Sequence, residues 1–174
     1  MTYSIGTQFE LQRFLVQSFF RLFIGSLFLS FTTLVFAETI ITVTHPEVPA
    51  PTLLDHGAKG QSIGDVRLWH FKAKTGNNSE VMTDWIMTTT SVSQETSSME
   101  SRITSAVFSF SPGLKDQIII QGVASYPSLK ATLVESSPTA RGITGGTGKF
   151  AGVGGWVETT HLTDGSWQHI LHIM

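Results

Sequence analysis

Gly142 to Gly155 reads Gly-Ile-Thr-Gly-Gly-Thr-Gly-Lys-Phe-Ala-Gly-Val-Gly-Gly and holds seven of the chain's sixteen glycines. Glycine costs a helix about 1 kcal/mol per position relative to alanine and weakens a strand interior as well. The stretch is therefore a backbone device. Gly146-Thr147-Gly148-Lys149-Phe150-Ala151 fits a loose G-x-G-x-x-A dinucleotide pattern. That fingerprint needs a helix opening directly behind it to face the pyrophosphate. Here the chain continues as Gly152-Val153-Gly154-Gly155 and then the β-prone Trp156-Val157-Glu158-Thr159-Thr160. A phosphate loop fails too, because Ile143 stands five places before Gly148 where glycine is needed, and Phe150 follows the lysine where Ser or Thr is needed. What is left is a tight crossing between two strands, with Phe150 as the one large apolar plug.

Strand signals lie on both sides of this crossing. Downstream, Trp156 to Thr163 and Ser166 to Ile173 flank Asp164-Gly165, a strong hairpin signal. Upstream, Gln117-Ile118-Ile119-Ile120-Gln121-Gly122-Val123 is the most β-prone run, and its three isoleucines predict a strand covered on both faces. Leu129 to Glu135 and Arg141 to Thr144 lead from there into the glycines. Further strands are expected over Thr39 to Thr44, Asp65 to Lys74, Val81 to Val92 and Arg102 to Ser111, with a polar stretch from Ser93 to Ser101. Pro46, Pro49 and Pro51 make residues 46–53 an extended connector without regular pairing. Seven or eight strands with short turns and no convincing helical period predict an all-β sandwich or closed barrel.

Residues 1–37 differ from the rest. Arg13 and Arg21 precede the apolar run Leu22 to Phe36, and Val35 and Ala37 occupy the −3 and −1 places of a cleavage site before Glu38. A secretory signal peptide is expected, and with it a secreted or periplasmic protein. The rival reading, a membrane anchor, has Arg21, Gln17 and Ser18 interrupting any longer span. After cleavage nine basic and twelve acidic side chains remain, so neither a nucleic-acid partner nor a membrane partner is expected. With no cysteine, the fold has no disulfides to rely on. Asn77-Asn78-Ser79 fits a glycosylation acceptor should the route be eukaryotic.

Ile143-Thr144-Gly145-Gly146-Thr147-Gly148-Lys149-Phe150-Ala151-Gly152, followed one strand later by Asp164-Gly165, resembles the "GGTG-x-F" stretch of the allene oxide cyclase and dirigent barrel superfamily. Leu54 to Asp65, with an acidic residue, a glycine turn and Ile63-Gly64, resembles the lead-in to that superfamily's second strand. The resemblance covers about residues 53–174. It implies an eight-stranded antiparallel β-barrel over residues 38–174, commonly a homo-trimer, with an apolar cavity that binds a small molecule and guides its cyclisation or coupling. It implies no cofactor. The acidic residue near the first strands that the plant members use would be Asp55 or Asp65. The dirigent arginine falls near Val153 to Gly155, where this chain has no basic residue. A non-catalytic ligand carrier or interaction module on the same barrel is the alternative.

A two-residue loop at Asp164-Gly165 would set Thr160 opposite His169 and Glu158 opposite Leu171. Glu158, His169, Trp156 and Trp167 would then share the more apolar face, the expected interior. On that register Glu158 and His169 form a candidate acid–base pair, with a plain salt bridge as the alternative. Asp65 is a third candidate for chemistry, and a rim residue hydrogen-bonded to loop backbone is its other reading. Trp69, Trp85, Phe108, Tyr126, Trp156 and Trp167 are the candidate ligand-binding aromatics, or else core packing. His45, His56 and His70 lie far apart in sequence, and His169 and His172 point to opposite faces of one strand, so no metal site is expected.

Overall fold

The computed structural model describes residues 37–93, 99–127 and 133–174. The expected leader, apart from Ala37, lies outside the described residues, as do residues 129–132 of the segment expected to approach the glycine crossing. Among the described residues nine strands form: β1 (Thr39–His45), β2 (Thr52–Leu54), β3 (Val66–Thr75), β4 (Glu80–Val92), β5 (Glu100–Ser109), β6 (Gln117–Tyr126), β7 (Thr139–Gly146), β8 (Gly155–His161) and β9 (Trp167–Ile173). Each pairs antiparallel with its neighbour in the order β1-β9-β8-β7-β6-β5-β4-β3-β2.

Closure comes from the chain ends. β1 runs along β9 from Thr39 opposite Ile173 to His45 opposite Trp167, and its Val43 and Thr44 also meet Thr75 and Lys74 of β3. β2 occupies another part of the same β3 edge, so eight strands make a closed ring and β2 is an appendage to it. Closing the ring removes the unpaired edges that an open sheet would expose. The connector departs from expectation here: Thr52, beyond its last proline, begins a short paired strand because β1 leaves that part of the β3 edge free.

Alternation then sorts side chains inward and outward. Val43, Val81, Phe108, Ile118, Ile120, Ile143, Val157 and Leu171 make the centre of the core, and Phe150 joins it from the crossing. A short 3-10 turn at Gly148–Phe150 delivers that ring against Phe110, with centroids 5.0 Å apart. Ile119 points outward and is half-buried, so β6 is covered fully on one face only.

The last hairpin differs from expectation by one residue. Its loop is Thr163-Asp164-Gly165, with Leu162 and Ser166 closing it through a backbone bond of 2.8 Å and Gly165 at φ 82°. This three-residue loop, a turn ending in a left-handed glycine, moves the register so that Thr159 faces His169 and Val157 faces Leu171. A one-residue slip sends every side chain of the strand to the other face. Val157 and Thr159 are therefore buried inside, while Trp156, Glu158 and Thr160 lie on the outer face of β8.

Candidate functional site

A cavity of about 560 Å³ occupies the barrel, a volume typical of small-molecule sites. Its walls are largely aromatic and aliphatic, with Phe71, Met87 and Leu133 beside Trp69, Trp85 and Trp167. The proline-rich connector supplies part of the rim through Val48, Pro49 and Pro51, and Trp69 Nε1 donates to the Pro49 carbonyl oxygen at 3.0 Å. No residue of the Gly142–Gly155 crossing lines it.

Two histidines meet in this wall. β1 and β9 are neighbours only because the ring closes, and His45 lies diagonally across from His169 on the inner face. Their Nε2 atoms are 3.0 Å apart. His45 Nδ1 donates to the Pro46 carbonyl oxygen at 2.7 Å, which fixes the proton of the neutral ring on Nδ1 and leaves Nε2 as an acceptor. His169 must then donate from Nε2, and its Nδ1 accepts from Thr159 Oγ1 at 3.0 Å. Hydrogen bonds are thus donated in sequence from Thr159 to His169, from His169 to His45 and from His45 to the Pro46 carbonyl oxygen. Burial lowers the pKa of His169 well below that of an ordinary histidine, and the nearby His45 and Arg141 lower it further. Burial lowers His45 as well, with partial relief from its bond to the Pro46 carbonyl. Both rings are neutral near pH 7.

A second polar group is built around Glu100, which is 1% exposed. Its carboxylate accepts from Arg67 Nη2 (2.8 Å), Arg102 Nε, Thr89 Oγ1 (2.9 Å) and Gln61 Nε2 (3.1 Å). Arg102 lies over the Tyr126 ring, 4.1 Å from its centroid, and the Tyr126 hydroxyl accepts from Arg141 Nη2 at 3.1 Å. Arg67, Arg102, Tyr126 and Arg141 all border the cavity.

The expected site residues are distributed as follows. Trp69, Trp85, Tyr126, Trp167 and His169 line the cavity. Phe108 sits in the core against Trp85 and His169, at 5.7 and 5.4 Å between ring centroids. Trp156 is outside, stacked on His172 at 4.5 Å. Glu158 is outside too, opposite Ala140 and Ile170, so the expected Glu158–His169 pair is separated by the sheet. Asp65 is fully buried but does not border the cavity; its two oxygens accept from the backbone N–H groups of His56 (2.8 Å) and Ser62 (3.0 Å) and brace that loop. Beyond the expected residues the structure adds Thr159, Arg67, Glu100, Arg102 and Arg141, and also His45, which the sequence offered only as a metal ligand to be set aside. Arg67 had a signal, since it alternates with Trp69 and Phe71 on one face of β3. Among the described residues no three His, Cys, Asp or Glu side chains converge as metal ligands would.

The ring of eight antiparallel strands around a ligand-sized cavity defines the class: a small all-β barrel. No protein-family model matches the chain, and no curated protein matches it in sequence. Among solved structures it is similar to pyocyanin demethylase, with a TM-score of 0.56 and 16% identity over 79% of this chain and 100% of that one. At that identity the likeness establishes the fold alone.

Proposed function

We propose that this barrel binds an apolar small molecule in its cavity. The observation that carries the reading is the aromatic wall of Trp69, Trp85, Trp167 and Phe71 around about 560 Å³ of space, with a few convergent polar groups. A barrel of this fold is named for demethylating pyocyanin, so the architecture is compatible with chemistry on a bound molecule. In the finer form suggested by the resemblance to allene oxide cyclase and dirigent barrels, the cavity holds its ligand in a folded shape and steers cyclisation or coupling without a cofactor. His45 and His169 are the groups available to move a proton in that step.

The alternative, a carrier, is favoured by one feature of the same pair. Every ring nitrogen of His45 and His169 already has a partner, so a base is exposed only if the 3.0 Å contact between them opens. Native mass spectrometry of protein purified from its source tests both readings. A retained ligand supports binding, and its conversion on incubation, lost in His169→Gln, supports catalysis. A retained ligand that stays unchanged makes the protein a carrier, and empty protein from every preparation argues against both.

Export belongs to the same proposal. Every strand among the described residues lies beyond Ala37, beginning at Thr39 opposite Ile173, so cleavage before Glu38 would leave those strands intact. Mass measurement of the secreted or periplasmic protein checks the cut.

A further inference from the structure

Arg141 is the largest of the fully buried side chains, at 2% exposure, and it borders the cavity. Its Nη1 donates to Thr139 Oγ1 and its Nη2 to Tyr126 Oη, both at 3.1 Å and both uncharged acceptors. Its Nε has no hydrogen-bond partner among the described residues, and no carboxylate there pairs with it. The other two buried arginines are compensated differently. Glu100 contacts both Arg67 and Arg102, and Asp65 adds to the field that favours the Arg67 cation. Among the described residues the lining thus contains three guanidinium groups, with the buried carboxylates Glu100 and Asp65 nearby, and there the charge without a paired carboxylate is that of Arg141. Glu47, the only carboxylate in the lining among the described residues, is exposed at the rim.

A glycine makes room for this cation. Gly122 of β6 passes beside it, and a Cβ there would stand 2.9 Å from Arg141 Cγ and 3.2 Å from its Cα. Across the cavity wall, Trp85 Nε1 is another buried donor without a partner. Both unpartnered atoms in the lining are therefore donors, which leaves acceptors to be supplied by the ligand. A buried charge with no counter-charge is expensive unless something pairs with it.

We infer that the ligand of this cavity is an apolar molecule bearing one anionic group, a carboxylate, sulfonate or phenolate, whose charge is balanced by Arg141. This rests on the ligand-binding reading above and names the chemical class that the cavity selects. The guanidinium holds the charged end, and the tryptophans hold the apolar body.

A matched pair of probes tests it: 2-naphthoate and the neutral naphthalene-2-methanol, titrated at pH 7.5 by calorimetry. Wild-type protein should bind naphthoate at least about tenfold more tightly than the alcohol. Arg141→Met should remove that preference by weakening naphthoate at least about tenfold, with circular dichroism checking the fold. Equal affinity of wild-type protein for the two probes overturns the anion site and leaves the cavity reading standing; so does a preference that survives in Arg141→Met. Binding of neither probe overturns the cavity reading and this one with it. Should Arg141→Met not fold, the wild-type comparison decides the matter alone.

Discussion

At the scale of single residues, the His45–His169 pair makes the most direct demand on solution behaviour. Both rings are held neutral in the folded protein, with pKa values below that of an unfolded histidine. Unfolding lets them take up protons. The unfolded state therefore binds more protons below about pH 6.5, and stability rises with pH through that window. Their contribution is complete above about pH 6.5 and is lost as the pH falls toward the folded-state values. Thermal unfolding followed by circular dichroism should show a midpoint that drops between pH 7 and pH 5, and His169→Gln should flatten that slope. An identical slope in the variant would mean that other groups set the acid response. Neither histidine was legible as a pair in the sequence. They stand 124 positions apart, and only the register of β1 on β9, which no local pattern encodes, brings their rings into contact.

At the scale of elements, the glycine crossing and the last hairpin show what local sequence can and cannot specify. The crossing was legible because backbone conformation is a local property: only glycine fits where φ is 129° at Gly155 and where an added Cβ would lie 1.9 Å from the His172 carbonyl oxygen. Gly155→Ala should consequently cost several kcal/mol, or prevent folding, by urea denaturation. Gly154→Ala, whose Cβ would meet nothing within 4 Å, should stay within about 0.5 kcal/mol of wild type. Equal effects of the two would mean that β8 does not begin as described. The hairpin was legible in kind but not in register. Asp164-Gly165 marks a turn equally well for a loop of two or three residues, yet the choice decides which face of β8 is buried. The inner face that results, Val157, Thr159 and His161, lacks a plain apolar alternation, since Thr159 exists there to hold His169. Glu158 and Trp156 consequently looked like interior residues when the sequence was read alone.

At the scale of the whole molecule, the strand inventory was readable and the cavity was not. Nearly every strand was expected to within a few residues, because β-branched runs and turn residues carry that information. The cavity depends on how eight strands close, and its polar lining gathers Arg67 of β3, Arg102 of β5, Tyr126 of β6 and Arg141 of β7 from across the chain, with Glu100 of β5 behind Arg67 and Arg102. Arginines in strands read as surface residues until closure turns them inward. The crossing at one part of the ring fills the core with Phe150, and the space left among the tryptophans is the proposed ligand site. Filling that space should abolish binding without unfolding the barrel. Met87, which lines the cavity and is partly buried, is the position for the test. Calorimetric titration of naphthalene-2-methanol should show one molecule bound per barrel in wild-type protein and at least about tenfold weaker binding in Met87→Trp, at an unfolding temperature within a few degrees of wild type. Unchanged affinity in that variant would place the ligand elsewhere and contradict the account.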